Sequence, residues 1–538
     1  MSIAHQVMWT RLISIVEEQA QALIRTAFSP SVREAGDLSA GVYDAQGSML
    51  AQAVTGTPGH VNAMADAVAH FIREIGEMAE GDVYLTNDPW MGTGHLHDIT
   101  VVTPVFRGGL VGFFACTAHV VDVGGRGFGA DGNSVYEEGL QIPIMRFATA
   151  AGPDRTLLAL IRANTRVPDQ LIGDLHALAT CNDVGMARLL GMMDEFDIAD
   201  LTAISDHIRT ASRTATIERI AALPRQQATG AMRIDGYAAP VDLKVQLSTQ
   251  ADHVACSFDG TSGLDPKGIN VPMVYTKAYA CYALKCAIAP EIPNNAGSLE
   301  PFRITAPEGS ILNAPRPAPV SLRHVIGHLI PDAVFDALAQ ILPGQIPAEG
   351  AGALCNFQLS LQGPDNARAE ILTFNSGGSG ARPAHDGLNA TAFPSGVMTM
   401  PVEATEQAGP VIIHRKELRP DSGGAGRQRG GLGQYMEVGA RDGWQMDLSA
   451  MLDRVGHPAR GRDGGRNGAP TEIALSDGTK LRAKGKQRIP QGRTVRFAFP
   501  GGGGYGPPAE RPREAIERDI EGGYISAEAA RRTYGEEP

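Results

Sequence analysis

Residues 95–122 read HLHDITVVTPVFRGGLVGFFACTAHVVD, two runs of β-branched and aromatic residues separated by Arg107-Gly108-Gly109. Runs of this composition favour strands, and the glycine pair is typical of a tight turn between antiparallel neighbours. Pairing of the two runs across that turn brings residues 95–98 opposite residues 119–122. The stretch therefore predicts an antiparallel hairpin whose open end carries three histidines and two aspartates.

The polar side chains at the open end of this hairpin are His95, His97, Asp98, His119 and Asp122. Neutral imidazoles and carboxylates that converge on one point are typical of a site for a divalent metal ion. Glycines on both sides of the cluster would let the backbone approach a ligand closely. Ordinary loop histidines with carboxylate partners give the same pattern, so the spacing alone leaves both interpretations open.

Outside the hairpin, the chain divides into three predicted regions. Residues 1–225 form an α+β region that contains the hairpin, residues 226–347 mix strands with a helix, and residues 348–538 are rich in glycine and strands. Helical periodicity predicts helices at 9–27, 60–77, 168–223, 274–288 and 513–521, and another from residue 527. The predicted fold class is α+β, with a metal-bearing N-terminal region, then a mixed region, then a strand-rich region ending in short helices.

Three glycine-rich segments stand out in the third region: SGGSGARPAHDG (376–387), DSGGAGRQRGGLG (421–433) and PGGGGYG (500–506). For the segments at 421–433 and 500–506 we expect tight turns, in which glycine adopts a positive φ. None of them contains the G-x-x-x-x-G-K-[ST] pattern of a phosphate-binding P-loop. The chain is therefore not expected to bind or hydrolyse ATP by itself.

Composition narrows the class of protein. The 538 residues carry a formal net charge of −12 without a basic block, which argues against a nucleic-acid partner. No apolar stretch approaches the ~18 residues of a membrane helix, and the charges at Arg11, Glu17 and Glu18 argue against a secretory signal. The six cysteines form no C-x-x-C pair, as expected of free thiols in a reducing compartment. We therefore expect a cytoplasmic protein.

Seven segments carry a resemblance to a known family, in order from residue 25 to residue 506. They are RTAFSPSVREAGDLSAGVYD, NDPWMGTGHLHDITVVTPVF, AHVVDVGG, LIGDLHALA, PEGSILNAPRPAPV, DSGGAGRQRGGLG and PGGGGYG. In this combination the sequence resembles the B-type subunits of the ATP-dependent hydantoinase/5-oxoprolinase family, which includes acetone and acetophenone carboxylases and caprolactamase. The resemblance covers nearly the whole chain.

The resemblance implies a function for the chain. It implies an ATP-dependent amidohydrolase that opens a cyclic amide such as a hydantoin, a lactam or 5-oxoproline. A partner of the A type would bind ATP with Mg²⁺ and phosphorylate the carbonyl oxygen of the substrate. This chain would hold a divalent metal, Zn²⁺ or Mn²⁺, and water at the metal would attack the activated carbon. Activity is then expected only in a hetero-oligomer with the A-type subunit.

The resemblance also assigns metal ligands. It carries the ligands of the family onto Asp37, His95, Asp98 and His119, and Asp37 comes from the resemblance alone. Where the family commonly has a second histidine directly after the position of His119, this chain has valine. If that second histidine is the ligand in the family, then the ligand is missing here.

Two further residues are candidates for the chemistry. His97 stands where the family commonly has proline, and it is the possible substitute if His119 does not complete the metal site. Asp122 is expected to orient His119 or to act as a base, since ligating histidines usually donate their other N–H to an acceptor. His60 is expected either to line the site or to be a buried structural residue, whereas His324 and His328 are expected in the core or on the surface.

Two alternative functions remain open at the level of sequence. The first is a subunit of an ATP-dependent ketone carboxylase of the acetone or acetophenone type, although acetone carboxylase subunits of this type are much longer than 538 residues. The second is a non-catalytic scaffold subunit. Retention of all four candidate ligands argues against the scaffold.

Overall fold

The N-terminal region is built on one antiparallel sheet of seven strands. The structure, a computed structural model, describes residues 3–54, 57–352 and 354–535. The strands of this sheet are β1 (Leu38–Asp44), β2 (Met49–Gln52), β3 (Val83–Thr86), β4 (Asp98–Phe106), β5 (Leu110–His119), β6 (Met145–Thr149) and β7 (Gly152–Pro153). Their spatial order is β2-β1-β5-β4-β3-β6-β7, so the hairpin β4–β5 lies at the centre, where both of its strands are buried.

Six helices accompany this sheet: α1 (Ile3–Thr26), α2 (Pro30–Arg33), α3 (Pro58–Ile75), α4 (Arg155–Asn164), α5 (Pro168–Glu195) and α6 (Thr202–Ala221). Helices α1 and α5 pack against each other and share one hydrophobic core with the sheet. Helix α3 contributes Val68 and Phe71 to a second core that includes Phe113 of β5. The hairpin is thus held between helices on both faces.

The middle region combines a four-stranded sheet with four helices. Its strands are β8 (Gln227–Ile234), β9 (Val241–Thr249), β10 (Val254–Ser257) and β11 (Phe302–Thr305), in the order β11-β10-β9-β8. Its helices are α7 (Met273–Ile288), α8 (Ala296–Leu299), α9 (Arg323–Gly327) and α10 (Ile330–Ile341). Helix α10 packs on β8 and β9, and helix α7 packs on α3 of the first region. The short helix α9 is fully buried at this junction.

The C-terminal region contains two four-stranded sheets. The strands are β12 (Asn356–Gln362), β13 (Arg368–Thr373), β14 (Val411–Leu418), β15 (Gln434–Ala440), β16 (Gln445–Met451), β17 (Glu472–Leu475), β18 (Lys484–Ile489) and β19 (Val495–Ala498). One sheet has the order β13-β12-β16-β18 and the other β14-β15-β19-β17. Phe357 of the first stacks on Phe497 of the second with ring centroids 4.3 Å apart. Helices α11 (Val402–Ala408), α12 (Arg513–Glu521) and α13 (Ala527–Tyr534) complete the region.

The glycine-rich segments form a bundle in which most glycines are extended, so the prediction of tight turns at 421–433 and 500–506 is wrong for them, although Gly506 has a φ of 70°. Gly424, Gly431 and Gly502 all lie outside the positive-φ region. Their backbones pair between segments: the N–H of Gly424 donates to Gly502 O, and that of Gly502 donates to Gly431 O. A Cβ on Gly502 would lie 1.9 Å from the carbonyl oxygen of Ser379. Glycine is required because the extended segments contact one another backbone to backbone. No pattern in the sequence predicts this packing.

The predicted fold class, a multi-layered α+β arrangement, is confirmed. The helix predicted at 513–521 has the predicted bounds. The region boundaries at 225 and 347 stay predictions. Within the described residues, no helix is both long enough and apolar enough to cross a membrane.

Candidate metal centre

The central hairpin brings two candidate ligands together. Strand β4 begins at Asp98, strand β5 ends at His119, and these two residues are direct partners in the register. The N–H of Val120 donates to the carbonyl of His97 at 2.7 Å and extends the pairing by one residue. The predicted juxtaposition of residues 95–98 with residues 119–122 is therefore confirmed.

The carboxylate of Asp98 lies at the centre of a buried polar cluster. Its Oδ1 is 2.8 Å from Nε2 of His95 and 3.1 Å from Nδ1 of His119. Ligand atoms of these three residues all lie within 4.8 Å of one another. Two imidazoles and one carboxylate at this spacing suit a divalent ion of borderline softness.

Three other groups contact Oδ2 of the same carboxylate. Arg323 of α9 approaches with Nη2 at 2.5 Å, Thr93 donates its hydroxyl at 2.6 Å, and Nε2 of His60 lies at 2.9 Å. Burial alone would raise the pKa of Asp98, but the nearby His60, His95 and Arg323 lower it well below its usual range. The aspartate is therefore ionised and fixed in orientation.

The hydrogen bonds of His95 test whether the residues fit a metal. Its Nδ1 lies 2.9 Å from the carbonyl of Ser321, an acceptor, so Nδ1 carries the proton and Nε2 presents a lone pair. Burial, together with Arg323, lowers the pKa of His95 to about 3, so the ring is neutral at pH 7. A lone pair and a carboxylate oxygen 2.8 Å apart repel each other unless a cation compensates them. Nε2 of His119 is likewise buried without a hydrogen-bond partner among the described residues. This donor set fits a divalent metal.

Asp37 lies beside this group but outside its 4.8 Å limit. It directly precedes β1, and its carbonyl accepts from the N–H of His119 at 3.2 Å. Its Oδ1 is buried without a hydrogen-bond partner among the described residues, 3.5 Å from Nδ1 of His60. Asp37 and His60 both line the cavity around the cluster. A ligand role for Asp37 remains a prediction.

His97 is fully buried but contributes no atom to the three-residue group. Its ring stacks on His119 with centroids 5.8 Å apart and contacts Phe128 at 4.7 Å. Burial lowers the pKa of His97 well below its usual value. The group of three thus includes His119, and His97 packs behind it.

The orienting role expected for Asp122 does not match its contacts. Its Oδ1 accepts from the N–H of Gly124 at 3.0 Å and from Nη1 of Arg166 at 2.5 Å, while Oδ2 accepts from the N–H of Arg166. The carboxylate therefore holds the loop after β5 against the start of α5.

Sequence reasoning missed the contribution of helix α9. Arg323, His324 and His328 all line the cavity around Asp98, although the two histidines were expected in the core or on the surface. Burial lowers the pKa of both histidines well below the usual value. The signal that could have found them is an arginine beside two histidines with i, i+4 spacing, the second of which, His328, directly follows the short helix.

The cavity itself is small, about 20 Å³, and closed by all three regions. Phe128 and Tyr275 line it from the first two regions, and Leu354, Asn356 and Phe374 line it from the third. Its volume corresponds to about one water molecule at ~30 Å³ each. The centre is therefore shielded from bulk solvent.

The fold and the buried His–Asp–His cluster define a candidate metalloprotein. The sequence model of the family hydantoinase B/oxoprolinase matches residues 1–508, and the chain therefore belongs to that family. The B-type subunit of a putative D-/L-hydantoinase of Pseudomonas sp. (strain NS671) is 28% identical, covering 99% of this chain and 94% of the relative. The beta subunit of the caprolactamase of Pseudomonas jessenii is also 28% identical, covering 96% of this chain and 93% of the relative.

Two solved structures share the fold. The crystal structure of the ATP-dependent caprolactamase of Pseudomonas jessenii matches with a TM-score of 0.88 at 24% identity, covering all of this chain and 96% of that one. A nucleotide-free structure of acetone carboxylase matches with the same TM-score at 18% identity, covering 99% of this chain and 79% of that one. The architecture is thus common to a caprolactamase and a ketone-carboxylating enzyme.

Proposed function

We propose that the chain is the metal-binding B-type subunit of an ATP-dependent amidohydrolase that opens a cyclic amide. The observation that carries this proposal is the convergence of His95, Asp98 and His119 in a buried cluster, in a chain of this family. The names of the hydantoinase and caprolactamase relatives support a hydantoin or a lactam as the substrate class. Oxoproline belongs to the same class of cyclic amide.

The proposed ion is Zn²⁺ or Mn²⁺, held by His95, Asp98 and His119, with Asp37 as the fourth ligand. Imidazole and carboxylate ligands suit both ions better than a thiophilic metal. When bound, such an ion would lower the pKa of a water ligand towards ~7 and so supply a nucleophile at neutral pH.

The surrounding side chains fix the protonation and the orientation of the proposed ligands. Ser321 fixes the tautomer of His95, and Arg323 holds the charge and orientation of Asp98. Burial lowers the pKa of His60, but Asp98 and Asp37 outweigh burial and raise it above its usual value. His60 faces Asp98 at Nε2 and Asp37 at Nδ1, and these two carboxylates favour its protonated form, which can serve a leaving amine.

Activation of the amide is assigned to a partner. This chain carries no phosphate-binding motif, and two of its relatives are named as one subunit of their enzyme. We propose that an A-type partner binds ATP and phosphorylates the carbonyl oxygen, which makes the resonance-stabilised amide open to attack.

Metal content measured by elemental mass spectrometry tests the proposal. We expect near-stoichiometric Zn or Mn in the wild type and a loss of at least 80% in His119→Ala. The matched control is His253→Ala, which removes a histidine outside the cluster and should keep the metal. Full metal content in His119→Ala would exclude His119 as a required ligand, and no metal in the wild type would favour the scaffold function.

The alternative is a ketone carboxylase, favoured by the equal TM-score of acetone carboxylase. The discriminating experiment is turnover with labelled bicarbonate, using the assembled complex. Under the amidohydrolase proposal, no label enters the product. Stoichiometric incorporation of the label would establish the carboxylase instead.

A further inference from the structure

A second polar cleft lies away from the metal centre. Its volume is about 150 Å³, and it separates the loop after β5 from the sheet β13-β12-β16-β18. The lining residues are Arg126, Gly127, Arg166, Ser360, Leu361, Gln362, Arg368, Glu370, Gln445, Asp447, Lys486 and Arg488. None of them lines the cavity around Asp98. The cleft is therefore a separate candidate site.

Alternation along the strands places the polar side chains of the sheet on one face. Ser360 pairs with Asp447 across β12 and β16, and Asp447 pairs with Arg488 across β16 and β18. On the other side of β12, Gln362 pairs with Arg368. Since residues i and i+2 share a face, these side chains all point towards the loop of the first region.

The cleft concentrates positive charge in an acidic chain. Its cations are Arg126, Arg166, Arg368, Lys486 and Arg488. Only two carboxylates, Glu370 and Asp447, share the lining, whereas the whole chain carries a net charge of −12. Two of these cations are neutralised from outside the lining, Arg126 by Glu137 and Arg166 by Asp122, so the small excess that attracts anions rests on Arg368, Lys486 and Arg488.

The cations differ in how far they are already paired. Arg166 is fixed, donating to Asp122 and to the carbonyls of Gly124 and Gly125. Asp447 is 2.9 Å from Arg488 and 3.5 Å from Lys486. Arg368 has no carboxylate within 4.0 Å among the described residues, and its cross-strand neighbour is the neutral Gln362. Its guanidinium is thus available to a ligand.

We propose that this cleft binds a phosphate dianion, either inorganic phosphate or the phosphoryl group of a small metabolite. Planar guanidinium groups match the oxygens of phosphate in bidentate fashion. A cleft of about 150 Å³ has room for one phosphoryl group. A ligand here would bridge the first region and the third, because Arg166 and Arg368 belong to opposite walls.

Titration calorimetry with inorganic phosphate, against chloride at equal ionic strength, tests this site. We expect saturable binding to the wild type and at least tenfold weaker binding to Arg368→Gln. The matched control is Arg188→Gln, which removes an exposed arginine paired with Glu18 outside the cleft. Methyl phosphate in place of phosphate distinguishes the sources: equal or tighter binding indicates a phosphorylated metabolite, and weaker binding indicates free phosphate.

Two results would overturn the proposal: heats for phosphate that equal those for chloride, or unchanged affinity in Arg368→Gln. Arg488→Gln gives a second variant of the same cleft, and thermal melting shows that each variant is folded. Metal content should be unchanged in Arg368→Gln, so failure of this site leaves the proposed function of the metal centre intact.

Discussion

At the scale of single residues, Asp98 contacts side chains that are far apart in the sequence, such as His119 and Arg323. The sequence placed residues 95–98 opposite residues 119–122, because a short hairpin with a tight turn sets its register to within a residue or two. It did not reveal Arg323, which lies 225 positions away and reaches Asp98 only through tertiary packing. Local pairing is readable from residue patterns, whereas contacts between regions depend on the whole fold.

Replacing Asp98 by asparagine is expected to destabilise the protein strongly. Asparagine keeps the shape but removes the charge that faces Arg323, and an uncompensated buried charge costs about 3–5 kcal/mol. Urea unfolding after dialysis against a chelator measures this without a contribution from bound metal.

The control for this prediction is Asp194→Asn, which removes a mostly exposed partner of Arg107. A surface pair of this kind contributes only about 0–1 kcal/mol. A loss in Asp98→Asn no larger than in the control would contradict the role given to Arg323.

Glu138 acts on the metal centre through the backbone. Its Oε1 accepts from the N–H groups of Val320 and Ser321 at 2.7 and 2.9 Å, and the carbonyl of Ser321 in turn accepts from His95. Burial raises the pKa of Glu138 from 4.5 to about 8. The carboxyl group is therefore mostly protonated at pH 7 in the folded protein.

Glu138→Gln is expected to remove a pH dependence of stability. Because the folded pKa is raised, the wild type loses stability as pH rises from 4.5 to about 8, by up to ~1.4 kcal/mol per unit. Glutamine does not titrate, so the variant should gain on the wild type across this window in urea unfolding at pH 5, 6.5 and 8.

The neighbouring Glu137→Gln is the control, since hydrogen bonds from Asn133 and Arg126 lower the pKa of Glu137 instead. Its stability difference from the wild type should stay level between pH 5 and 8. Parallel curves for Glu138→Gln and the wild type would refute the titration of Glu138.

At the scale of elements, the helices and the central hairpin follow the sequence closely. Strong periodicity over many residues identified α1, α3, α5 and α6, and α13 begins at residue 527 as predicted. The five-residue helix α9 was not assigned its role, because one turn has too few residues to show which face is buried. The conformation of the glycine-rich segments was predicted wrongly for a different reason. Glycine has no side chain, so these segments offer no hydrophobic pattern from which their packing could be predicted.

Gly502→Ala is expected to prevent assembly of the glycine bundle. The added methyl would lie 1.9 Å from the carbonyl oxygen of Ser379, and a backbone atom cannot move aside cheaply. We expect a loss of soluble yield, or a melting temperature lower by about 10 °C or more. The control is Gly191→Ala in α5, where no atom lies within 4 Å and alanine should stabilise by ~0.5–1 kcal/mol. Equal melting temperatures for the two variants would contradict this interpretation of the bundle.

At the scale of the whole molecule, the metal centre depends on all three regions. The first supplies the cluster, the second supplies Arg323, and the third covers it with Asn356 and Phe374. A cavity of about 20 Å³ is too small for a cyclic amide, so under the proposed function the residues that line it would have to move before substrate could enter.

The isolated chain is expected to show no ATPase activity above a buffer control. In its glycine-rich segments, backbone N–H groups already donate hydrogen bonds to backbone carbonyls. They are therefore not free to bind the oxygens of a phosphate group. Release of labelled phosphate, measured with added Mg²⁺ and with either Zn²⁺ or Mn²⁺, checks this. Metal-dependent turnover by the purified chain alone would show that the ATP site is not confined to a partner.

The glycine bundle also affects the order in which parts of the chain can fold while it is synthesised on the ribosome. Gly424 and Gly431 pair with Gly502, so the earlier segments emerge with open backbone groups until that residue has left the exit tunnel. The histidines and aspartates of the centre are made long before the residues that cover them. A nascent chain therefore leaves the cluster open to an entering ion until Leu354, Asn356 and Phe374 have been translated and packed over it.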